Sequence, residues 1–385
     1  MKIKNWRIYI YWFFDLCVSS LAFFLGRLFP LRNCVVITNY YGAGFGDNGK
    51  AIAIKLHQVC PEVEIYWQVD DLTIEMPDWI NKIKTKTFHS YFQMAVSKIW
   101  IDNSRKPLNI RKRSCQFYIQ TWHGFNGLKK AEGDSIDALS KRYIQSAKHD
   151  SAMINLFLSN GKFFTDTIRR AFWYNGEILE CGAPRCDILH DKTYKRKVVR
   201  NFFDIPDGKS ILLYAPTFRN SHKNVYDIDF NRLAESVKKK FSKDVVILLR
   251  LHPNMRNMNL GVNFNKNLLD ATSYPDMYEL MAESDFFITD YSSSLFEFAS
   301  TMKPTFIYAS DVQDYAFERG YHFDIMNLPV PLAQNNDELE SNIMAFNSTE
   351  FKQKMEIFMT NVGINDSGKA SRLVVERILQ ELRKS

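Results

Sequence analysis

The chain has few cysteines, and none is arranged as a metal site or a disulfide framework. Six occur singly among 385 residues: Cys17, Cys34, Cys60, Cys115, Cys181 and Cys186. The sequence contains no C-x-x-C pair and no histidine at a zinc-ligand spacing from a cysteine, which argues against structural zinc and against a disulfide-stapled secreted domain. Several of the six fall in apolar runs, where cysteine behaves as a small hydrophobe. We therefore predict reduced thiols in or near the core of a cytosolic protein.

Signatures of nucleic-acid and dinucleotide binding are also missing. No RNP-type or zinc-finger pattern occurs, and the glycine-rich residues 41–48 read G-x-G-x-G where a dinucleotide site needs G-x-G-x-x-G. There is no internal repeat and no acidic cluster that suggests a metal. A net charge of +7 favours anionic partners such as a phosphate-rich substrate or an acidic membrane surface. We expect no nucleic-acid partner and no cofactor, and we assign no metal.

Long hydrophobic runs are rare, and the one near the N-terminus is interrupted. Residues 8–26 are mostly apolar but contain Asp15, and Arg7 and Arg27 flank them. A spanning helix needs roughly 20 apolar residues, and an aspartate at its centre is costly in hydrocarbon. Aromatic content with basic flanks favours a helix lying in the bilayer surface, whereas no small-residue cleavage site supports a signal peptide. We expect residues 1–30 to associate with an anionic membrane surface; a buried helix of the first domain is the alternative.

The rest of the chain alternates between strand-like and helix-like stretches. Predicted strands lie at 34–38, 63–69, 98–101, 117–120, 156–159 and 178–181, and then at 210–215, 245–251, 286–289 and 305–308. Predicted helices lie at 49–59, 134–147, 230–240, 274–282, 293–301 and 366–383. Such alternation is typical of parallel sheets with right-handed crossovers.

The length favours two domains, and the chain offers one clear boundary. Residues 191–201 are rich in Lys and Arg, and the turn Ile205-Pro206-Asp207-Gly208 follows them. We therefore predict an α/β fold of two Rossmann-like domains, residues 31–203 and 204–385, that face each other across a cleft.

Polar clusters follow predicted strands in both halves. His123 and His252 each end an apolar run, and Ser292-Ser293-Ser294 follow the strand at 286–289. Ligands of open α/β sheets bind beyond the carboxyl ends of strands, and a serine-rich turn before a helix suits an anion. Serine is also a common helix cap, and a single histidine is more commonly structural. Two histidines at strand ends are harder to dismiss, because histidine can accept a proton or stabilise phosphate charge.

Six motifs, taken in order, carry a resemblance to a known family. They are Gln120-Thr121-Trp122-His123-Gly124 with Leu128-Lys129-Lys130, Gly182-Ala183-Pro184-Arg185-Cys186-Asp187, Tyr214-Ala215-Pro216-Thr217-Phe218-Arg219, Arg250-Leu251-His252-Pro253, Ile288-Thr289-Asp290-Tyr291-Ser292-Ser293 and Glu318-Arg319-Gly320-Tyr321. The series resembles the CDP-glycerol glycerophosphotransferase family of teichoic-acid and capsule synthesis. The resemblance implies a GT-B fold, a CDP-alditol donor and a peripheral enzyme on the cytoplasmic face of the cell membrane.

The same resemblance implies roles for individual residues. His123 takes the position of the family's proposed base in an acceptor domain. His252 matches a pyrophosphate-binding element of a CDP-glycerol-binding domain, and we expect it to act in catalysis by offsetting negative charge on the CMP leaving group. The expected reaction moves glycerol phosphate from CDP-glycerol to a hydroxyl of a lipid-linked or polymeric acceptor and releases CMP. Thr217, Arg219, Ser292 and Ser293 match the family's pyrophosphate-binding elements. Apart from the resemblance, we expect Glu297, on the helix after the serine turn, to bind the ribose hydroxyls, and Arg250 and Arg319 to contact the donor. Acceptor contacts are expected from Lys129, Lys130 and Asp47.

Two departures from the family pattern concern the acceptor. Phe125-Asn126-Gly127 replaces a common Thr-Pro pair, and Cys186 stands where asparagine is common. Glycerol or ribitol as the donor alditol, and one transfer or polymerisation, stay open. A transferase of the same architecture that uses a nucleotide sugar is the nearest alternative, and an inert membrane-bound scaffold is the alternative from another class.

Overall fold

The computed structural model describes residues 5–124, 130–194, 197–217, 227–251, 262–312 and 322–384, without the side chains of residues 5–9. Within these ranges the chain forms two compact units. The first contains residues 5–124, 132–187 and 365–384, and the second contains residues 130–131 and 188–364.

The first unit is built on a seven-stranded sheet in which every strand pair is parallel. Its strands are β1 (Arg32–Thr38), β2 (Ile65–Val69), β3 (Ile80–Lys84), β4 (Ser97–Asp102), β5 (Phe117–Gln120), β6 (Leu156–Ser159) and β7 (Glu177–Glu180). The spatial order β3-β2-β1-β4-β5-β6-β7 reverses direction between β1 and β4. Loops that leave these two strands diverge there, so the order creates a crevice at their carboxyl ends.

Helices and short turns join these strands. They are α1 (Asn5–Gly26), α2 (Asp47–Val59), α3 (Phe88–Val96), α4 (Lys141–Met153), α5 (Lys162–Ala171) and the start of α6 (Asp187–His190). Three 3₁₀ turns, Tyr40–Gly42, Glu132–Ala138 and Pro184–Cys186, lie between them. Central strands such as β1 are buried on both faces, which explains their continuous apolar sequence.

The second unit repeats the arrangement with six parallel strands. They are β8 (Ser210–Ala215), β9 (Val245–Leu249), β10 (Leu268–Asp270), β11 (Phe286–Thr289), β12 (Thr305–Tyr308) and β13 (Leu332–Ala333). The order β10-β9-β8-β11-β12-β13 reverses between β8 and β11. Helices α7 (Val198–Phe202), α8 (Phe230–Phe241), α9 (Met277–Glu283), α10 (Ser294–Ala299), α11 (Asn336–Ala345) and α12 (Ser348–Val362) accompany them. The predicted α/β class with two Rossmann-like units is confirmed.

Helix α1 is attached to the first unit along one side and leaves large side chains exposed elsewhere. It packs against α3, and Asp15 accepts hydrogen bonds from the hydroxyl of Tyr91 and from Asn109 Nδ2 (2.8 Å). It leaves Tyr11, Phe13 and Phe14 about two-thirds or more exposed. None of the helices among the described residues has both the length and the hydropathy that crossing a membrane requires.

Several predicted elements differ from the structure. The predicted helix 134–147 is a 3₁₀ turn followed by α4, because the Ser140 hydroxyl accepts the amide of Tyr143 and starts a new helix. Strands β3, β10 and β13 were not predicted. All six cysteines are free, but Cys17 and Cys115 are exposed, so the prediction that every thiol lies near the core is wrong for these two.

The last helix, α13 (Ala370–Arg383), belongs to the first unit, whereas the predicted boundary placed it in the second. Val374, Val375 and Ile378 are buried, and the helix lies against α2 and β4. The Asp187 carboxylate accepts the first two amides of α13, from Ala370 (2.9 Å) and Ser371 (2.7 Å). A periodic apolar face shows that a helix forms but not which sheet it covers.

We expect Asp187→Ala to loosen α13 by removing this cap. Losing a side-chain cap costs about 1–2 kcal/mol, so hydrogen exchange of α13 peptides should accelerate roughly tenfold. Glu376→Ala is the matched control, since its ion pair with Arg372 on the same helix is half-exposed and should contribute little. Equal exchange rates in the two variants would show that the Asp187 cap is unimportant.

Candidate active site

Both sheets place polar side chains at their switch points. In the first unit, the loops after β1 and β4 carry Tyr40 and Asn103, and His123 follows the neighbouring β5. In the second unit, Thr217 follows β8, and Asp290 and the serine turn follow β11. Each group is described within its own unit.

The imidazole of His123 is held by a main-chain carbonyl. Its Nδ1 lies 2.6 Å from the backbone oxygen of Asn103. A carbonyl oxygen can only accept, so Nδ1 carries the proton and donates it, and the neutral ring keeps its lone pair on Nε2. The structure therefore leaves Nε2 as the nitrogen able to take a proton from a substrate.

Burial lowers the pKa of His123 below its ordinary value. The hydrogen bond to the Asn103 carbonyl and the charges of Asp47 and Glu132 act in the opposite direction, while Arg185 adds to the lowering. The lowered pKa keeps the imidazole neutral near pH 7, the state a general base needs.

Aromatic rings fix the orientation of His123. The Trp122 ring stacks on it with centroids 4.4 Å apart, and the Tyr40 ring lies 5.2 Å away. Trp122 has a φ of 52°, a left-handed backbone that is rare for a large side chain. Arg105 lies over the Trp122 ring at 5.5 Å and is itself tied by ion pairs to Glu132 (2.9 Å) and Asp150 (3.2 Å).

The glycine-rich loop after β1 is tied to the same place. The Asp47 carboxylate accepts Arg185 Nη1 at 3.0 Å from both oxygens and the Tyr40 hydroxyl at 2.8 Å. Asn48, fully buried, donates to the Trp122 carbonyl at 3.0 Å. Asp47, which the sequence predicts to contact an acceptor, thus links Arg185 to Tyr40 within the first unit.

Sequence reasoning missed the segment Asp102-Asn103-Ser104-Arg105-Lys106, all of which is buried. Asn103 supplies the carbonyl that orients His123, and Arg105 supports Trp122. Lys106 pairs with Asp102 at 2.5 Å. The signal was available, because five polar residues directly follow a predicted strand, but such runs are usually assigned to a solvated loop.

In the second unit, Asp290 joins the ends of two neighbouring strands. Its buried carboxylate accepts the amide of Thr217 at 2.9 and 3.1 Å and that of Tyr291 at 2.6 Å. The Thr289 hydroxyl donates to the Ala215 carbonyl at 2.7 Å. These bonds fix the loop that presents Thr217 beside the serine turn.

The serine turn itself is partly exposed. Ser292 Oγ accepts the Ser294 hydroxyl at 2.8 Å, and Ser293 precedes the six-residue helix α10 without capping it through its side chain. Glu297, on α10, is buried and accepts the Tyr278 hydroxyl at 2.7 Å. Arg250 Nη1 donates to the carbonyl of Tyr274 at 2.6 Å. The structure thus brings Thr217, Ser292 and Ser293 to one edge of the sheet. Glu297 and Arg250 form hydrogen bonds within the second unit.

The remaining sequence-predicted residues divide into two groups. Lys130 is described and exposed. Lys129, Arg219, His252 and Arg319 lie outside the described residues. In the described part of the chain, no group of three or more His, Cys, Asp or Glu side chains is placed to hold a metal ion.

The chain matches a known family over almost its whole length. Residues 21–380 match the family described as CDP-glycerol:poly(glycerophosphate) glycerophosphotransferase. A teichoic acid poly(glycerol phosphate) polymerase of Bacillus subtilis strain 168 is 29% identical over 94% of this chain and 50% of its own length. The chain thus spans about half of that relative. A protein of the same description from Bacillus spizizenii strain W23 is 27% identical over 98% of both chains.

A solved structure of the wall teichoic acid polymerase TagF superimposes with a TM-score of 0.83 at 25% identity, covering 96% of this chain and 94% of that one. The fold is therefore α/β and GT-B-like, with two parallel sheets.

We expect His123 to titrate below pH 6.5 and to keep its proton on Nδ1, because burial disfavours the charged ring. Nitrogen-15 NMR of labelled imidazoles measures both properties, and the signal missing from His123→Gln identifies the residue. On acidification His123 is protonated at a higher pH in the unfolded chain than in the folded chain. The free energy of unfolding therefore decreases as pH falls from about 6.5 to the folded-state pKa of His123. His123→Gln should therefore lose less stability on acidification than the wild type. A ring that titrates at 6.5 or above would contradict this assignment.

Proposed function

Because the chain belongs to the CDP-glycerol:poly(glycerophosphate) glycerophosphotransferase family, we propose that it transfers glycerol phosphate from CDP-glycerol to a hydroxyl of a lipid-linked or polymeric cell-envelope acceptor, with release of CMP. The observation that carries the proposal is the state of His123. Its Nδ1 is committed to a carbonyl and its pKa is lowered, which is what deprotonation of a hydroxyl near neutral pH requires.

In the proposed step, His123 Nε2 removes the proton of the acceptor hydroxyl while that oxygen attacks the β-phosphorus of CDP-glycerol. The bond from the β-phosphorus to the bridging oxygen breaks, and the electron pair leaves with CMP. The glycerol phosphate becomes a diester on the acceptor, and the proton on His123 passes to solvent before the next turnover. Positioning and charge stabilisation supply most of the catalysis in phosphoryl transfer.

We assign the donor to the second unit. The hydroxyls of Thr217, Ser292 and Ser293 and the amides of Ser292 and Ser293 would bind the pyrophosphate, and the Asp290 bonds that order their loops support this assignment. Glu297 would bind the ribose hydroxyls, and Arg250 would approach the leaving group. His252, Arg219 and Arg319 are assigned to the donor on their sequence motifs alone, and Lys129 and Lys130 to the acceptor.

Mutation of the two histidines should have different effects on turnover and on donor affinity. His123→Ala should abolish CMP release and leave CDP-glycerol affinity unchanged, because its proposed partner is the acceptor. His252→Ala should reduce turnover and also weaken donor binding by roughly tenfold or more, the value of a charge-assisted hydrogen bond. Calorimetric titration with CDP-glycerol and CMP-release rates measure the two effects. Substantial activity in His123→Ala would remove it as the base.

The same assay separates the alternative functions. CMP release from CDP-ribitol in preference to CDP-glycerol would identify a ribitol phosphate transferase. Nucleotide release from a UDP-sugar would identify a glycosyltransferase. Wild-type protein that turns over none of these donors with a lipid-linked acceptor would support an inert scaffold.

We further propose that the outer face of α1 lies on an anionic membrane surface at the cytoplasmic side of the cell membrane. Large apolar side chains are exposed along it: Ile10, Phe13, Phe14, Leu21, Phe24 and Leu25. Exposed cations border this face, with Arg142 over the Trp12 ring (5.3 Å) and Arg111 over the Phe24 ring (5.7 Å). Aromatic groups flanked by arginine match the boundary between acyl chains and anionic headgroups.

Replacing the outer face while keeping α1 folded should test the membrane proposal. Ile10, Phe13 and Phe14 changed together to serine should reduce flotation with phosphatidylglycerol liposomes, because the apolar area that enters the bilayer is lost. Phe202→Ser, in the second unit, removes a similarly exposed ring and serves as control. Equal flotation of the triple variant and the wild type would refute the membrane proposal and show that α1 serves only as a structural helix of the first unit.

A further inference from the structure

The motif Gly182-Ala183-Pro184-Arg185-Cys186-Asp187 has so far received no part in the reaction. Its 3₁₀ turn Pro184–Cys186 presents Arg185, a buried arginine with a side chain 2% exposed. We propose that Arg185 is a positioning residue for the base His123, which it holds through two separate chains of hydrogen bonds. The proposal rests on the proposed function, since it takes His123 as the base.

The first chain runs through side chains. Arg185 Nη1 donates to both oxygens of Asp47 at 3.0 Å, and the pair is nearly excluded from water. Asp47 accepts the Tyr40 hydroxyl at 2.8 Å, and the Tyr40 ring lies against His123. The Tyr40 amide in turn donates to Asn103 Oδ1 at 2.8 Å, and Asn103 provides the carbonyl for His123 Nδ1. Arg185 thereby anchors two of the contacts that orient the imidazole, the Tyr40 ring and the Asn103 carbonyl.

The second chain joins two main-chain groups through the side chain of Asn48. The Arg185 amide donates to Asn48 Oδ1 at 3.1 Å. Asn48 Nδ2 donates to the carbonyl of Trp122 at 3.0 Å, the peptide group that joins Trp122 to His123. Asn48, the middle of this path, is fully buried, so water cannot easily replace its two hydrogen bonds. The two chains approach His123 from its ring and from its backbone.

Backbone strain shows why such anchoring is needed. Tyr40, Asp47 and Trp122 have φ values of 42°, 57° and 52°, all in the left-handed region. Each such residue is unfavourable by itself and persists only where its surroundings over-determine it. All three lie on the two chains that end at Arg185. The motif at 182–187 therefore supplies the fixed point for a strained loop and a strained strand end.

Charge gives the proposal a signature that packing alone would not produce. The charged groups that act on His123 are Asp47 and Glu132, which favour its protonation, and Arg185, which opposes it. Removing the Arg185 cation also leaves the Asp47 anion unpaired. Both changes favour the imidazolium, so the pKa of His123 should rise.

The test is the pH dependence of CMP release by the full chain carrying Arg185→Gln. We expect kcat at pH 7 to fall by on the order of tenfold to hundredfold, the effect of a slightly misplaced catalytic group. The acid limb of the kcat profile should move to higher pH, with CDP-glycerol affinity unchanged. Arg185→Lys keeps the cation and should restore the wild-type acid limb and part of kcat. Arg372→Gln, which removes an exposed cation of the same unit, should match the wild type.

Three results would overturn the proposal: an Arg185→Gln profile identical to the wild type, equal acid-limb shifts in Arg185→Gln and Arg185→Lys, or a lower kcat with an unmoved acid limb. If Arg185→Gln does not fold, Asn48→Ala cuts the main-chain path alone. It should lower kcat without moving the acid limb, and wild-type turnover in that variant would refute the path.

Failure of the proposed function is distinguishable from failure of this inference. If the wild type releases no CMP with any donor, the function fails, yet nitrogen-15 titration of His123 in Arg185→Gln still reports whether Arg185 sets its pKa. If the wild type turns over and the variant titrates like it, only the role of Arg185 is lost.

Discussion

The hydrogen bond from His123 Nδ1 to the carbonyl of Asn103 is the contact on which the candidate active site depends. It selects the tautomer, and so decides which nitrogen can act as a base. It also requires the end of β4 and the residue after β5 to stay in register, which adjacent parallel pairing of the two strands ensures. The strand order therefore determines the tautomer of His123, because a different order would bring a different group to the ring.

Much of this could be predicted from the sequence, since strands and strand ends are visible in local composition. The strands at 117–120, 156–159, 210–215, 286–289 and 305–308 have the predicted bounds. His123 and the Ser292–Ser293 turn were identified because both follow an apolar run. Parallel strands that are buried on both faces have continuous apolar sequences, so the polar residue at the end of each strand is easy to identify.

The rest could not be predicted because it depends on contacts between distant segments. Arg185 and Asp47 are 138 residues apart, and nothing in the composition around either residue indicates their pairing. Helix α13 shows an apolar face in the sequence, but the sheet that this face covers is fixed by Asp187, 183 residues before the first helical amide. Likewise Asp15 reads as a defect in an apolar run, whereas its contacts with Tyr91 and Asn109 attach α1 to the first unit.

Two acidic residues near the switch points pose an electrostatic problem for the proposed CDP-glycerol donor, since a bare carboxylate would repel its pyrophosphate. In each unit the charge is taken up by the protein itself. Asp290 accepts the amides of Thr217 and Tyr291, which spreads its charge over main-chain dipoles and draws two loops together. Asp47 is neutralised by Arg185 and uses its remaining capacity to hold Tyr40. Carboxylates placed this way order polar loops at a sheet edge with their charge bound by protein donors, so the net positive charge of the chain can act on the proposed anionic donor.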